Sequence, residues 1–91
     1  MKLVGTIQPF SGMQSIHVYD NSNKEIEYRL AYLYNYAKVV SELIEEYNDI
    51  TELDLHGATQ FCEKIKHEVE SNMLNKYNNK NRIEVKVIWN I

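Results

Sequence analysis

The chain has 91 residues, of which 44% are hydrophobic and 25% charged, and its formal net charge is −3. These values predict one soluble domain over residues 1–91 and exclude a multidomain enzyme, a collagen-like repeat and a disordered tail. The lone cysteine, Cys62, excludes a disulfide scaffold. The opening residues are too short an apolar run for a secretion signal, so we expect a cytoplasmic location. No membrane or nucleic-acid partner is expected, because no apolar run approaches the roughly 20 residues that span a bilayer and the net charge is negative.

The first half of the chain is predicted to contain three strands. Residues 2–8 carry β-compatible side chains on both faces, as a central strand requires, and Pro9 ends this strand. Residues 15–19 form the second strand, and a polar turn leads to a third strand at 24–30. Apolar residues in this last stretch also recur at helical spacing, which leaves one long helix as the alternative. We favour the strand followed by a helix at 34–47, because a tight turn is typically followed by a hairpin partner.

The second half of the chain is easier to interpret. Residues 50–55 form a short strand that His56 and Gly57 interrupt, residues 59–77 a helix, and residues 82–91 a strictly alternating strand.

The resulting order is three strands, a helix, a strand, a helix and a strand. Right-handed crossovers and antiparallel hairpins then predict a mixed α/β fold with one five-stranded sheet, ordered 3-2-1-4-5, and two helices packed on it. This topology resembles the core of the ribonuclease H-like fold, a ββαβαβ pattern, with a third hairpin strand. No sequence motif of that superfamily accompanies the resemblance.

Two glycine-containing loops are predicted to meet where the parallel first and fourth strands end. The second loop opens a helix, whose free N–H groups and positive dipole end favour an anion. We therefore predict a crevice that binds a phosphate-bearing, nucleotide-type small molecule, with no cofactor and no metal. The alternative is two ordinary turns, in which Gly12 supplies a positive φ and Thr59 caps a helix. The predicted ligand-binding residues are Pro9, Phe10, Ser11, Gly12, Met13, Gln14, His56, Gly57, Ala58, Thr59 and Gln60.

The string LDLHG at residues 53–57 resembles the opening motif of Smr domains, which act on nucleic acid. The resemblance implies a ribonuclease in which Asp54 and His56 project from one strand face. Smr domains carry a second glycine-rich loop after their next strand, and no counterpart is expected before Ile91. A nuclease of the ribonuclease H type is not expected either, because the first strand lacks the carboxylates that would hold two metal ions. We therefore expect a binding protein rather than an enzyme and assign no catalytic residue.

Tyrosines are dense in or just before the first predicted helix, at positions 28, 32, 34 and 36. Because tyrosine is enriched at interfaces, a second interpretation is a protein-binding inhibitor that acts through a tyrosine-rich helix or a sheet edge. The last strand, with Trp89 and Ile91, offers such an edge, and we predict a homo-oligomer.

Three segments together, GTIQPFSGMQ at 5–14, LDLHG at 53–57 and the end of the second helix at 76–78, resemble small proteins of phages and mobile elements in AT-rich Gram-positive hosts. The resemblance implies a compact accessory protein that acts by binding in the host bacterial cytoplasm. A host defence signal is one ligand that such a protein sequesters.

Overall fold

The computed structural model describes residues 1–8, 10, 12–75 and 83–89, with the side chains of Asn75 and Trp89 excepted. The elements in chain order are β1 (Lys2–Ile7), β2 (Gln14–Tyr19), β3 (Glu25–Ala31), a 3-10 turn (Leu33–Asn35), α1 (Tyr36–Glu46), β4 (Glu52–Gly57), α2 (Thr59–Asn75) and β5 (Glu84–Trp89).

The five strands form one mixed sheet in the order β3-β2-β1-β4-β5, which confirms the predicted fold class and strand order. β1 is central and pairs antiparallel with β2 and parallel with β4. β3 extends the sheet antiparallel to β2, and β5 extends it parallel to β4. The sheet therefore has an antiparallel half and a parallel half that meet at β1.

Both helices pack on the same face of this sheet. The connections from β1 to β4 and from β4 to β5 step across the sheet in one direction, so right-handed crossovers place α1 and α2 on one side. The helices touch each other, and the Asn72 side chain of α2 donates a 3.1 Å hydrogen bond to the Ser41 hydroxyl of α1. The buried core between them and the sheet includes Leu3, Ile7, Ile16, Val18, Val40, Leu43, Ile44, Leu53, Leu55, Cys62, Ile65 and Val69. Among the described residues, no element covers the opposite face.

The ambiguous stretch after residue 24 is a strand, as favoured. The Asp20 carboxylate accepts hydrogen bonds from the backbone N–H groups of Ser22 (2.8 Å) and Lys24 (3.0 Å). Asn23 adopts a left-handed φ of 63° in the same turn. These contacts reverse the chain and bring β3 beside β2, so the hairpin prevails over the helical spacing.

Several predicted boundaries were wrong by about a turn or less. α1 begins at Tyr36 instead of residue 34, because the 3-10 turn precedes it. β4 begins and ends two residues later than predicted, since His56 and Gly57 continue the strand by pairing with Thr6 and Ile7 of β1. The predicted helix residues 76–77 and strand residues 82 and 90–91 lie outside the described residues.

A glycine in β1 makes room for the tyrosine that begins α1. Tyr36 is fully buried, and its hydroxyl donates a 2.9 Å hydrogen bond to the Ser15 carbonyl of β2. A Cβ atom at Gly5 would lie 2.1 Å from that hydroxyl oxygen. Burial raises the pKa of Tyr36, so its hydroxyl remains a protonated donor. The pair Gly5–Tyr36 therefore fixes how closely α1 approaches the centre of the sheet.

Neither helix in the described part of the chain has the length and apolar character needed to cross a membrane.

Candidate functional site

The two predicted glycine loops follow β1 and β4, whose C-terminal ends lie at the same edge of the sheet. Ile7, the last residue of β1, is in register with Gly57, the last residue of β4, and the two strands run parallel. From this edge the chain turns to β2 on one side and into α2 on the other. The structure therefore brings the end of β1 beside the end of β4, the strand that leads into α2.

Gly57 is required by the close approach of β4 to β1. Its φ is +144°, which side-chain-bearing residues rarely adopt, and a Cβ atom there would lie 2.4 Å from the Ile7 carbonyl oxygen. At Gly12, by contrast, a Cβ atom would have no neighbour within 4 Å. The two glycines thus differ in role: Gly57 closes the strand pair, and Gly12 leaves open space beside its loop.

Gln14 holds the loop that follows β1. It is buried at the start of β2, where its side-chain oxygen accepts a 2.5 Å hydrogen bond from the Gln8 backbone N–H. Its side-chain nitrogen donates a 2.8 Å hydrogen bond to the Gln8 carbonyl. The side-chain amide of Gln14 thus accepts from and donates to the backbone of Gln8, as the backbone of a neighbouring strand would. We assign Gln14 a role in positioning the loop, which its residue type alone did not indicate.

Among the described residues, no side chain caps the N-terminus of α2. The Ala58 carbonyl accepts 3.1 Å hydrogen bonds from the N–H groups of Phe61 and Cys62, which makes Ala58 the residue that precedes the helix. Alanine has no side-chain oxygen with which to cap. Thr59 is the first helical residue and is exposed, so the interpretation of Thr59 as the cap was wrong. The N–H groups of Thr59 and Gln60 are left without intrahelical acceptors, at the positive end of the helix dipole.

The remaining predicted residues differ in their exposure to solvent. Phe10 is fully exposed and Met13 is partly exposed, so the Phe10 ring is accessible to a planar ligand. Gln60 is exposed, whereas His56 is half-buried on β4. Pro9 and Ser11 were also predicted to contribute, and both lie outside the described residues.

Asp54 and His56 lie on the sheet face that the helices leave uncovered. They alternate along β4 with the buried residues Leu53 and Leu55. One carboxylate oxygen of Asp54 lies 3.7 Å from the Lys2 ammonium, and the other is buried without a hydrogen-bond partner among the described residues. A carboxylate and an imidazole therefore share one face, as the Smr resemblance implies.

Cys62 belongs to the core and not to this site. It is fully buried on α2, and burial, with a smaller contribution from Glu63, raises the pKa of its thiol. Among the residues that the structure describes, no three histidine, cysteine, aspartate or glutamate side chains are grouped to hold a metal ion.

Two of the cavities that described residues border lie away from the loops. One, of 440 Å³, lies between α1 and α2 and is bordered by Tyr34, Lys38 and His67. The other, of 570 Å³, lies near the first residues of β4 and β5, at the N-terminal ends of these strands and therefore far from the loops. Neither is lined by a predicted ligand-binding residue.

The four tyrosines do not form one helical face. Tyr28 lies on β3, and Tyr36 is buried in the core. Tyr32 and Tyr34 are exposed between β3 and α1, with their rings stacked at a centroid distance of 5.5 Å. The tyrosine-rich helix was therefore a wrong prediction, because a strand and a 3-10 turn place these residues in different environments.

The fold defines a two-layer α/β protein, with two helices on one face of a mixed five-stranded sheet. Neither a family model, nor a curated protein, nor a solved structure matches the chain.

Proposed function

We propose that the protein binds a phosphate-bearing small molecule of nucleotide type at the edge of the sheet where β1 and β4 end. The pairing of Ile7 with Gly57 is the main support for this proposal. It places the ends of β1 and β4 side by side, and the chain turns in opposite directions after these two strands. The resemblance to phage proteins favours a host signal nucleotide, sequestered in the cytoplasm, as the natural ligand. Binding without catalysis is sufficient for this role.

The uncapped start of α2 provides the phosphate subsite. Backbone N–H groups of Thr59 and Gln60 are directed out of the first helical turn, where a phosphate oxygen accepts readily. The exposed Thr59 hydroxyl and Gln60 amide add side-chain donors at the same end. The exposed Phe10 ring offers a stacking surface for a base, and the open space at Gly12 lets a ligand approach the loop.

The direct test is thermal unfolding in the presence of cyclic dinucleotides, ADP-ribose and mononucleotides. A ligand at 100 times its Kd raises the free energy of unfolding by about 2.7 kcal/mol, which is readily measured. If no compound of this panel stabilises the protein, the proposal is wrong.

Replacing Ala58 with aspartate tests the phosphate subsite. The introduced carboxylate accepts hydrogen bonds from the first-turn N–H groups, so we expect the ligand-free protein to gain about 1 kcal/mol of stability. The same carboxylate repels phosphate, so the ligand-induced shift should disappear. Asn48→Asp is the matched control: it adds the same charge at an exposed turn remote from the loops and should keep the shift. Equal binding by all three proteins would place the ligand elsewhere.

A ribonuclease that uses Asp54 and His56 is the second candidate. The shared, uncovered face of these residues and the unpartnered Asp54 oxygen favour it. It predicts RNA cleavage that is lost in His56→Ala, since imidazole is the usual general base at neutral pH. Cleavage that persists in this variant, or no cleavage by the unmodified protein, would eliminate the nuclease.

A further inference from the structure

β3 is an edge strand with an unusually apolar outer row. Ile26, Tyr28 and Leu30 are exposed to 45%, 57% and 51% of their surface. Tyr28 is paired with His17 of β2, and the two rings stack at a centroid distance of 5.7 Å with an angle of 18°. This places the row on the face of the sheet that the helices leave uncovered. An exposed edge strand with such a row of apolar side chains is suited to pair with a strand of another chain.

Two of the three charged residues of β3 alternate with this row and lie on the other face, whereas the third, Glu25, contacts His17 on the uncovered face. Glu27 and Arg29 are opposite Val18 and Ile16 of β2, which are core residues. Edge strands often carry charges that discourage pairing. Here the two charges have opposite signs, so their effect on pairing with a second copy depends on the register.

Of the self-pairing registers centred on Glu27, Tyr28 or Arg29, only the one centred on Tyr28 is favourable on both faces. When two copies of a strand pair antiparallel about a two-fold axis perpendicular to the sheet, the central residue lies directly opposite the same residue of the other copy. Centring on Glu27 or on Arg29 would set like charges opposite each other. Centring on Tyr28 sets Glu27 opposite Arg29 and Ile26 opposite Leu30, twice over. Unlike charges and apolar pairs directly opposite stabilise antiparallel strands.

The charged pair is already held in place within one chain. The Arg29 guanidinium donates hydrogen bonds to Glu27 (2.5 Å) and to Glu46 of α1 (2.7 Å). A hydrogen bond from the Tyr47 hydroxyl lowers the pKa of the Glu27 carboxyl; burial opposes this effect, and Arg29 lowers the pKa further. Since a guanidinium has five N–H donors, Arg29 keeps further donors for a carboxylate that arrives from outside.

We propose that β3 pairs antiparallel with β3 of a second copy, centred on Tyr28, so that two sheets join into one continuous sheet. Charge complementarity between Glu27 and Arg29 of the two copies selects this occupant. The surface differs from the predicted β5 edge and lies at the opposite edge of the sheet. The inference does not depend on ligand binding, so the two proposals can fail separately.

A charge-exchange experiment tests this pairing. In the homodimer, Glu27→Lys sets the introduced ammonium group against Arg29, and Arg29→Glu sets the introduced carboxylate against Glu27. Each variant alone should dimerise at least about tenfold more weakly than the unmodified protein, because both symmetric pairs become repulsive. When the two variants are mixed, unlike charges face each other again at both positions, and a heterodimer should form. Analytical ultracentrifugation over a concentration series, with one variant carrying a fluorescent label, measures both results.

The heterodimer separates loss of pairing from loss of folding, because an unfolded variant would not regain association on mixing. Tyr28→Lys should also weaken dimerisation by placing two ammonium groups opposite each other. Tyr34→Lys is the matched control, since Tyr34 is highly exposed and lies beyond the paired residues of β3. A monomer at high micromolar concentration would overturn the proposal. So would a dimer that survives both single charge changes, or a mixture in which no heterodimer forms; these results would assign β3 to another partner or to none.

Discussion

Replacing Gly57 with alanine is expected to destabilise the protein by about 3 kcal/mol, the largest effect that we predict for a single methyl group. The φ of +144° is unfavourable for any residue with a Cβ atom, and that atom would lie 2.4 Å from the Ile7 carbonyl oxygen. Neither strand can move aside cheaply, because both are in the middle of the sheet. Chemical denaturation monitored by circular dichroism measures the loss.

Gly12→Ala is the matched control for this prediction. It adds the same methyl group to the other loop of the proposed site, where the added Cβ would have no neighbour within 4 Å. We expect a change within about 0.5 kcal/mol. Equal losses in the two variants would mean that the contact between Gly57 and Ile7 does not limit stability.

Replacing Gly5 with alanine is expected to lower the free energy of unfolding by about 2 kcal/mol through overpacking. The new methyl group would lie 2.1 Å from the Tyr36 hydroxyl oxygen and 3.1 Å from a Leu55 methyl carbon. Tyr36 is fully buried, so its ring must shift within a packed core and its hydroxyl must leave the Ser15 carbonyl. Equilibrium unfolding in urea measures this loss.

Tyr36→Phe separates the steric conflict from a general loss of packing. Alone, this change removes one buried hydrogen bond and should lower stability by about 1 kcal/mol. In the Tyr36→Phe background the hydroxyl is absent, so Gly5→Ala should become less damaging than in the unmodified protein. The double-mutant cycle should therefore show a favourable coupling of about 1 kcal/mol. Additive losses would indicate that the added methyl group conflicts with other neighbours, such as Leu55.

Gly57 also connects stability with the proposed site. The residue ends β4, and the chain enters α2 two residues later. A shift of β4 relative to β1 would therefore move the uncapped N–H groups away from the loop that Gln14 holds. We expect Gly57 variants that still fold to lose ligand binding beyond what their stability explains.

The strand order and fold class could be predicted from sequence, because they follow from local patterns. Alternation and helical spacing identify the elements, Asp20 and its neighbours specify a turn, and the handedness of crossovers leaves one compatible sheet. The register of β1 with β4 could not be predicted. The sequence suggested a break at His56, whereas pairing with β1 continues the strand through Gly57.

The sequence by itself therefore determined the fold class, the strand order and the parallel pairing of β1 with β4. The tertiary structure decided what individual side chains do. Gln14 is committed to the backbone of its loop, and Ala58, not Thr59, precedes α2. Tyr36 is buried whereas Tyr28 is exposed. The physical reason is that residue type limits which interactions a side chain can make. Partners that are distant along the chain decide whether its polar groups are already hydrogen-bonded and its apolar groups already buried.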